Sequence, residues 1–178
     1  MLQQNIKMQN IFLIGMMGSG KSTLAPLLSK SLNLPYIDTD NDLMEILDMD
    51  MKTIFSELGE KKFRLLESVY FNEHISKDQK IYALGGGIVL EKNNQIIIKD
   101  KGISIFLDAS VDELQSRLRN NLQDRPLINA DDLKKSITNI YKNRFMLYQS
   151  ISDYKIDSND KSIAEIHSEL LDVLHKYV

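Results

Sequence analysis

A glycine-rich segment near the start of the chain has the residue types and spacing that bind phosphate groups. Residues 15–22 read Gly-Met-Met-Gly-Ser-Gly-Lys-Ser and match G-x-x-x-x-G-K-[ST], between an apolar run and an amphipathic stretch. Glycines let backbone N–H groups turn inward around phosphate oxygens, and the following helix N-terminus adds partial positive charge. We expect Lys21 to reach the β- and γ-phosphates of a bound nucleotide and the Ser22 hydroxyl to ligate Mg²⁺. An ordinary glycine turn is the less favoured interpretation. The residues of this loop that we expect to bind the nucleotide are Gly18, Ser19, Gly20, Lys21, Ser22 and Thr23.

Two further segments are expected to face the same crevice. The run Gly85-Gly86-Gly87 follows an apolar strand-length segment, and three consecutive glycines indicate close approach of the backbone to a ligand. Asp38 and Asp40 follow another short strand, and the carboxyl ends of parallel strands share one edge of a sheet. A plain tight turn, and an Asp40 that caps the next helix, are the structural alternatives.

The five arginines stand out in a chain whose other 17 basic residues are lysines. Arg144 interrupts an apolar helical stripe, so it must meet an anion, either a buried protein carboxylate or the carboxylate of a ligand. Arg64 has a simpler explanation, an i to i+4 pair with Glu60. Arg125 precedes Pro126 in a polar segment and is either solvated or able to stabilise a transferring phosphoryl group.

Strand-length apolar runs alternate with helical stretches along the whole chain. This alternation predicts a parallel sheet covered by helices on both faces. Ser110 followed by Glu113 predicts a capping box at a helix start. The polar segment 120–129 is a candidate lid. The five expected strands are 11–14, 36–37, 80–84, 103–107 and 154–156.

Length and composition set the broad class of the protein. With 178 residues, 43% of them hydrophobic, we expect one domain over residues 1–178. A net charge of −3 disfavours a nucleic-acid partner, and the absence of cysteine excludes disulfides and zinc ribbons. The sequence has no apolar run long enough for a membrane span, so we expect a cytoplasmic protein, and a monomer.

Taken together, the motifs resemble those of the shikimate kinase family, in that family's order and over nearly the whole chain. The resemblance implies a three-layer α/β/α fold of the nucleoside-monophosphate-kinase type, with a five-stranded parallel sheet of order 2-3-1-4-5. It also implies transfer of the γ-phosphoryl of ATP to the 3-hydroxyl of shikimate in aromatic amino-acid (chorismate) biosynthesis, with Mg²⁺. The segments that carry the resemblance are the loop 15–22, Asp38-Thr39-Asp40, residues 54–67, Gly85-Gly86-Gly87, Arg125-Pro126-Leu127 and residues 144–148.

The resemblance also implies roles for individual residues. Arg64 and Arg144 would clamp the shikimate carboxylate, which agrees with the anion that Arg144 requires. Asp40 would accept hydrogen bonds from the substrate hydroxyls and act as base, beside backbone contacts from Gly85, Gly86 and Gly87. Asp38 would act on Mg²⁺ through water. The remaining implied positions are Phe55 and Phe63, as pocket walls or core aromatics, Arg125 as the lid arginine, and Arg119 and Asn159 near the adenine.

Two departures from the family pattern are visible. Ala83-Leu84 stand where the family often has a Ser or Thr near the Mg²⁺ water shell. Pro26 lies inside the helix after the phosphate loop, where its ring and missing N–H are expected to kink or loosen a turn.

The sequence leaves three alternative functions. A gluconate kinase or a nucleoside-monophosphate kinase would also use the phosphate loop, and gluconate carries a carboxylate and hydroxyls as well. A GTPase-like switch is disfavoured because the chain has neither an Asp-x-x-Gly nor an Asn-Lys-x-Asp element. A kinase-like protein that binds ATP without catalysis is the third alternative.

Overall fold

The computed structural model describes residues 9–75, 78–119, 126–129 and 132–175. Within these ranges, five strands form one sheet in the order β2-β3-β1-β4-β5, and all neighbouring strands are parallel. This order confirms the one that the family resemblance implied. The strands are β1 (Asn10–Ile14), β2 (Tyr36–Asp38), β3 (Ile81–Ala83), β4 (Gly102–Asp108) and β5 (Tyr154–Asp157).

Helices cover both faces of the sheet, as the alternating pattern predicted. Seven α-helices lie in the described part of the chain, and a short 3₁₀ turn (Ile88–Leu90) follows the triple glycine. The helices are α1 (Lys21–Leu32), α2 (Thr39–Leu47), α3 (Met51–His74), α4 (Lys92–Lys101), α5 (Val111–Leu118), α6 (Leu133–Ile151) and α7 (Ile163–Leu174).

Two hydrophobic layers hold the helices against the sheet. On one face, Leu24 and Leu28 of α1 and Ile166 of α7 pack with buried residues of the strands such as Leu13 and Ile105. On the other face, side chains of α3, α5 and α6 pack around an aromatic layer that includes Phe12. The central strands β1 and β4 are buried along their whole length, which explains why they read as continuous apolar runs.

The structure shows which residues cap α2 and α5. Asp38 rather than Asp40 caps α2, because the Asp38 carboxylate accepts a hydrogen bond from the Asn41 N–H at 3.1 Å. At α5, the Ser110 hydroxyl does accept from the Glu113 N–H at 3.2 Å.

The predicted second half of that capping box is wrong. Glu113 pairs instead with Arg117 at 2.8 Å, and the Ser110 N–H donates to Asn159 at 2.7 Å. A complete capping box occurs at the start of α7, between Ser162 and Glu165.

Two helices, α1 and α3, contain a proline or a glycine in their interior. The helix α1 continues without interruption through Pro26, so the proline does not break it. The backbone N–H that proline lacks would have bonded the carbonyl of Ser22, an exposed residue in the first turn where water can replace it. By contrast α3 is kinked at Gly59, whose φ of 76° and ψ of 159° are not helical.

The edge of the sheet where the strands end gathers the chemically interesting segments. The loop 15–20 follows β1, Asp38 ends β2, and the triple glycine comes two residues after β3. In a parallel sheet these positions border one crevice. The fold therefore brings together the three segments that the sequence analysis singled out.

Candidate active site

The phosphate loop forms one wall of a crevice of about 520 Å³, within the usual size of a ligand site. Lys21 is only 8% exposed, and its Nζ lies 2.9 Å from the carbonyl oxygens of both Gly15 and Met16. The ammonium group is thus held inside the loop. The predicted loop residues that line the crevice are Gly18, Gly20, Lys21, Ser22 and Thr23, whereas Ser19 is buried beside the Lys21 ammonium.

Oxygen ligands suited to Mg²⁺ border this crevice. Ser22 and Asp38 both line it, and the Asp38 Oδ2 atom is buried without a hydrogen-bond partner. A hard divalent ion that keeps several waters needs only one or two such protein oxygens besides the phosphates. In the described ranges no cluster of three or more His, Asp or Glu residues forms a metal cage. The residues present therefore fit Mg²⁺ bound together with nucleotide.

Thr39, between the two aspartates, fixes the triple glycine. Its buried hydroxyl accepts a hydrogen bond from the Gly85 N–H at 2.9 Å and lies 3.5 Å from the Ala83 carbonyl oxygen. The sequence analysis gave Thr39 no role, and its place between two candidate functional carboxylates was the available signal. Ala83 and Leu84 themselves line the crevice and offer it no hydroxyl.

A second cavity, which we call the acid pocket, adjoins the first. It is smaller, with a volume of about 50 Å³, and it shares Met17 and Asp40 with the phosphate crevice. Asp40 therefore lies where the two cavities meet. The acid pocket is lined by Met17, Asp40, Met51, Phe55, Phe63, Arg64, Pro126, Leu127 and Arg144.

Arg64 is held by carboxylates and aromatic rings on α3. It pairs with Glu67 at 2.8 Å and, as predicted, with Glu60 at 3.4 Å. Its guanidinium carbon lies 5.1 Å from the centre of the Phe63 ring and 5.8 Å from that of Phe55. Both phenylalanines line the acid pocket, and Phe63 is also in the hydrophobic core. Phe63 is therefore both a pocket wall and a core aromatic residue.

Glu67 is buried beside Arg64 and was not assigned a role from the sequence. The pKa of Glu67 is raised from 4.5 to about 7, because burial raises it most and the charge of Asp40 adds to the shift, while the charge of Arg64 opposes it. Its Oε1 atom is buried without a hydrogen-bond partner. Glu67 thus places a buried carboxyl group with a raised pKa beside Arg64, which lines the acid pocket.

Arg144 extends into the pocket from the apolar face of α6 and is 5% exposed. Its Nη1 donates to the Gly86 carbonyl oxygen at 3.0 Å, and no carboxylate of the described residues lies within ion-pair distance. Of the two anions that the sequence left open, a salt-bridged protein carboxylate is therefore absent from the described part of the chain. A buried guanidinium beside a pocket suits an anionic ligand.

The triple glycine is needed because functional side chains pack against its backbone. A Cβ atom at Gly85 would collide with the carboxylates of Glu67 and Asp40, and one at Gly87 would collide with the guanidinium of Arg64. At Gly86 a Cβ atom would have room. The expected close approach thus exists, and the approaching groups include the protein's own site residues.

The predicted adenine neighbours are less well supported. Arg119 is exposed, and neither it nor Asn159 lines the phosphate crevice. Arg117 lines it instead, and its guanidinium donates to the Ser158 carbonyl at 2.5 Å and to the Gly18 carbonyl at 3.4 Å. In the sequence, Arg117 is distinguished from Arg119 by its i to i+4 spacing from Glu113, the residue with which it pairs.

Part of the predicted site is not described. Arg125 and residues 120–125 of the candidate lid lie outside the described residues. The adjoining Pro126 and Leu127 line the acid pocket. None of the helices in the described ranges has the length and apolar character needed to span a membrane.

Comparison with known proteins gives a consistent result. A family model described as shikimate kinase matches residues 17–175. A shikimate kinase of Prochlorococcus marinus is 36% identical over 165 residues, which are 93% of this chain and 82% of the relative. A solved shikimate kinase of Acinetobacter baumannii in complex with shikimate superposes with a TM-score of 0.88 and 26% identity, covering 95% of this chain and 94% of that one.

A more distant structure shares the fold alone. A gluconokinase of Sinorhizobium meliloti superposes with a TM-score of 0.62 at 14% identity, covering 96% of this chain and 93% of that one. The fold alone therefore does not identify the acceptor. The acceptor must be inferred from the family match and from the residues of the acid pocket.

Proposed function

The chain belongs to the shikimate kinase family, and from this premise we propose that it transfers the γ-phosphoryl group of ATP to the 3-hydroxyl of shikimate. The products would be ADP and shikimate 3-phosphate. One observation carries the proposal: Asp40 lies at the junction of a phosphate crevice and a pocket that contains two arginines. A donor phosphate and the hydroxyl of a carboxylic acid would meet at that junction.

The acid pocket suits the charge of shikimate. Arg144 is buried without an ion-pair partner among the described residues, so a substrate carboxylate would neutralise it. Arg64 lines the same pocket and keeps further N–H donors beyond those that bind Glu67 and Glu60. Two planar guanidinium groups orient a carboxylate more strictly than lysines would. Phe55 and Phe63 would limit the space around the ring.

Asp40 would orient the acceptor hydroxyl and accept its proton as the new O–P bond forms. Its side chain borders both cavities, as this task requires. The backbone of Gly85, Gly86 and Gly87 would line the acceptor side. Because phosphoryl transfer depends mainly on positioning and on neutralisation of charge, these contacts and Lys21 would account for most of the rate.

Lys21 would neutralise the β- and γ-phosphates from inside the loop, and the helix N-terminus of α1 would assist. Ser22 and Asp38 would hold Mg²⁺, with Asp38 acting through water. When bound, the ion neutralises phosphate charge. Arg125, which the structure does not describe, is proposed as the lid arginine. Because one chain lines both cavities, we propose that it acts as a monomer.

The reaction is tested by release of ADP from Mg·ATP in the presence of shikimate, gluconate, a nucleoside monophosphate or no acceptor. We expect stimulation by shikimate alone. Stimulation by gluconate or by a nucleoside monophosphate would contradict the proposed acceptor. No stimulation by any acceptor, with ATP still bound, would support the non-catalytic alternative.

A further inference from the structure

We infer that Tyr148 is a positioning residue for the acceptor, because its hydroxyl fixes the Gly86 carbonyl that also anchors Arg144. The hydroxyl donates to the Gly86 oxygen at 2.5 Å, and Arg144 Nη1 donates to the same oxygen at 3.0 Å. A carbonyl oxygen has two lone pairs and accepts both bonds. The inference rests on the proposed function, in which Arg144 binds the substrate carboxylate.

Tyr148 is itself firmly held. It is fully buried on α6, one helical turn after Arg144, and its ring stacks on Phe106 of the central strand β4 with centroids 5.1 Å apart. Such a ring has little freedom, so the hydroxyl is held in one position. Burial also raises the pKa of Tyr148 to about 12, which keeps the hydroxyl protonated as a donor.

The same hydroxyl lies beside the phosphate loop. It is 3.9 Å from the Met16 sulfur, and the Met16 carbonyl oxygen accepts a hydrogen bond from Lys21 at 2.9 Å. Residues of the phosphate loop, the triple glycine and the acid pocket thus meet around one phenol group. Buried hydrogen-bond networks of this kind hold functional groups in place because each bond restricts the next.

Without the Tyr148 hydroxyl, the Gly86 carbonyl would keep its hydrogen bond from Arg144. The carbonyl itself would no longer be held in one direction. Arg144 would then sample orientations that do not meet a carboxylate. Lys21, whose contacts lie in the phosphate loop, would be affected less. The expected result is therefore a selective loss of acceptor binding rather than a general loss of activity.

The test compares Tyr148→Phe with Tyr82→Phe as a matched control. Tyr82 is also a fully buried tyrosine in the same core cluster, but its hydroxyl donates to the His74 carbonyl at 2.9 Å. Both variants lose one buried hydroxyl, so their melting temperatures should fall by similar amounts. In Tyr148→Phe the KM for shikimate should rise about fivefold, while the KM for ATP stays within about twofold. In Tyr82→Phe both KM values should stay at the wild-type level.

A double-mutant cycle with Arg144→Lys adds a readout that a purely structural role would not move. If Tyr148 acts through Arg144, the effects of the two substitutions on shikimate KM must be less than additive. Additive effects, or equal shikimate KM in Tyr148→Phe and Tyr82→Phe, would overturn the inference. Absence of shikimate-dependent ADP release in the wild type would instead overturn the proposed function.

A measurement on the wild type keeps the inference testable if Tyr148→Phe does not fold. With tyrosines labelled at Cζ, shikimate binding should shift the NMR resonance of Tyr148 and leave that of Tyr82 in place. Equal shifts at the two tyrosines, or none at Tyr148, would contradict a positioning role.

Discussion

The two cavities at the edge of the sheet differ in how their charged side chains are held in place. The phosphate crevice is wide, about 520 Å³, and the groups that hold its Lys21 come from the continuous segment 15–21. The acid pocket encloses about 50 Å³ and takes residues from the phosphate loop, α2, α3, α6 and the segment 126–127. The position of Lys21 is thus set by local chain geometry. The acid pocket, like the crevice residues Asp38, Ala83 and Arg117, depends on how distant elements pack.

This contrast explains how a fold shared with a gluconokinase can take a different acceptor. A phosphate loop needs only a strand, a glycine turn and a helix start, so the same segment can serve many kinases. The acid pocket depends on α3 and α6 approaching the triple glycine, where functional side chains contact glycine backbone. Substitutions should therefore affect catalysis as a whole in the crevice, and acceptor binding in the pocket.

The largest effect is expected for Lys21→Ala, which removes the cation inside the phosphate loop. Turnover should fall by about 10³-fold or more, because charge stabilisation in the transition state is the main contribution of this site. Circular dichroism and melting temperature should show a folded protein. Turnover near the wild-type rate would contradict the assignment of the loop.

Glu67→Gln should change the pH dependence of stability. The folded-state pKa of Glu67 is raised to about 7 from 4.5, so the folded protein holds a proton that the unfolded chain releases between these values. Wild-type stability should therefore fall as pH rises from about 4.5 to 7, relative to the variant, and level off above. The difference is on the order of 3 kcal/mol at most.

Denaturant titrations of both proteins at pH 5, 6, 7 and 8 measure this difference. A constant offset between wild type and Glu67→Gln across the series would show that Glu67 does not titrate in this window. The groups that face Glu67 and set its titration are Arg64, Asp40 and Arg144.

A smaller effect is expected for Gly87→Ala, whose new methyl group would displace the Arg64 guanidinium. Because the end of an arginine side chain can move, the fold should survive, while shikimate KM rises about tenfold. Gly59→Ala is the control. It adds strain at a φ of 76° but its Cβ would meet no atom within 4 Å.

The two glycine variants should thus differ in what they lose: Gly59→Ala loses stability, and Gly87→Ala loses acceptor binding. Gly59→Ala should lose about 1–2 kcal/mol of stability with little change in shikimate KM. An unchanged shikimate KM in Gly87→Ala would argue against a role for Arg64 in the acid pocket.

Features that depend on contiguous sequence were predictable. The phosphate loop, the five strands and the sheet edge followed from local pattern and from the rules of parallel sheets. The buried position of Arg144 also followed, because a charged residue on an apolar helical stripe has few alternatives.

Features that depend on packing between elements were only partly predictable. The choice of Arg117 over Arg119 at the crevice, and of Asp38 over Asp40 as helix cap, turns on which way a side chain points at a helix end. The kink at Gly59 and the role of Thr39 depend on the approach of other segments. Sequence position marks Thr39 and Arg117 as candidates, but composition and periodicity do not show which segments approach them.

The central claim is that donor and acceptor occupy separable cavities. It is tested most directly by measuring the binding of shikimate and of ATP to the Arg144→Ala variant. Titration calorimetry of the wild type and this variant would measure shikimate and ATP affinities separately. We expect shikimate affinity to fall about 100-fold, since a buried charged contact is lost, with ATP affinity nearly unchanged. Equal shikimate affinity in the two proteins would contradict the assignment of the acid pocket, and a parallel loss of ATP binding would contradict the separation of the two cavities.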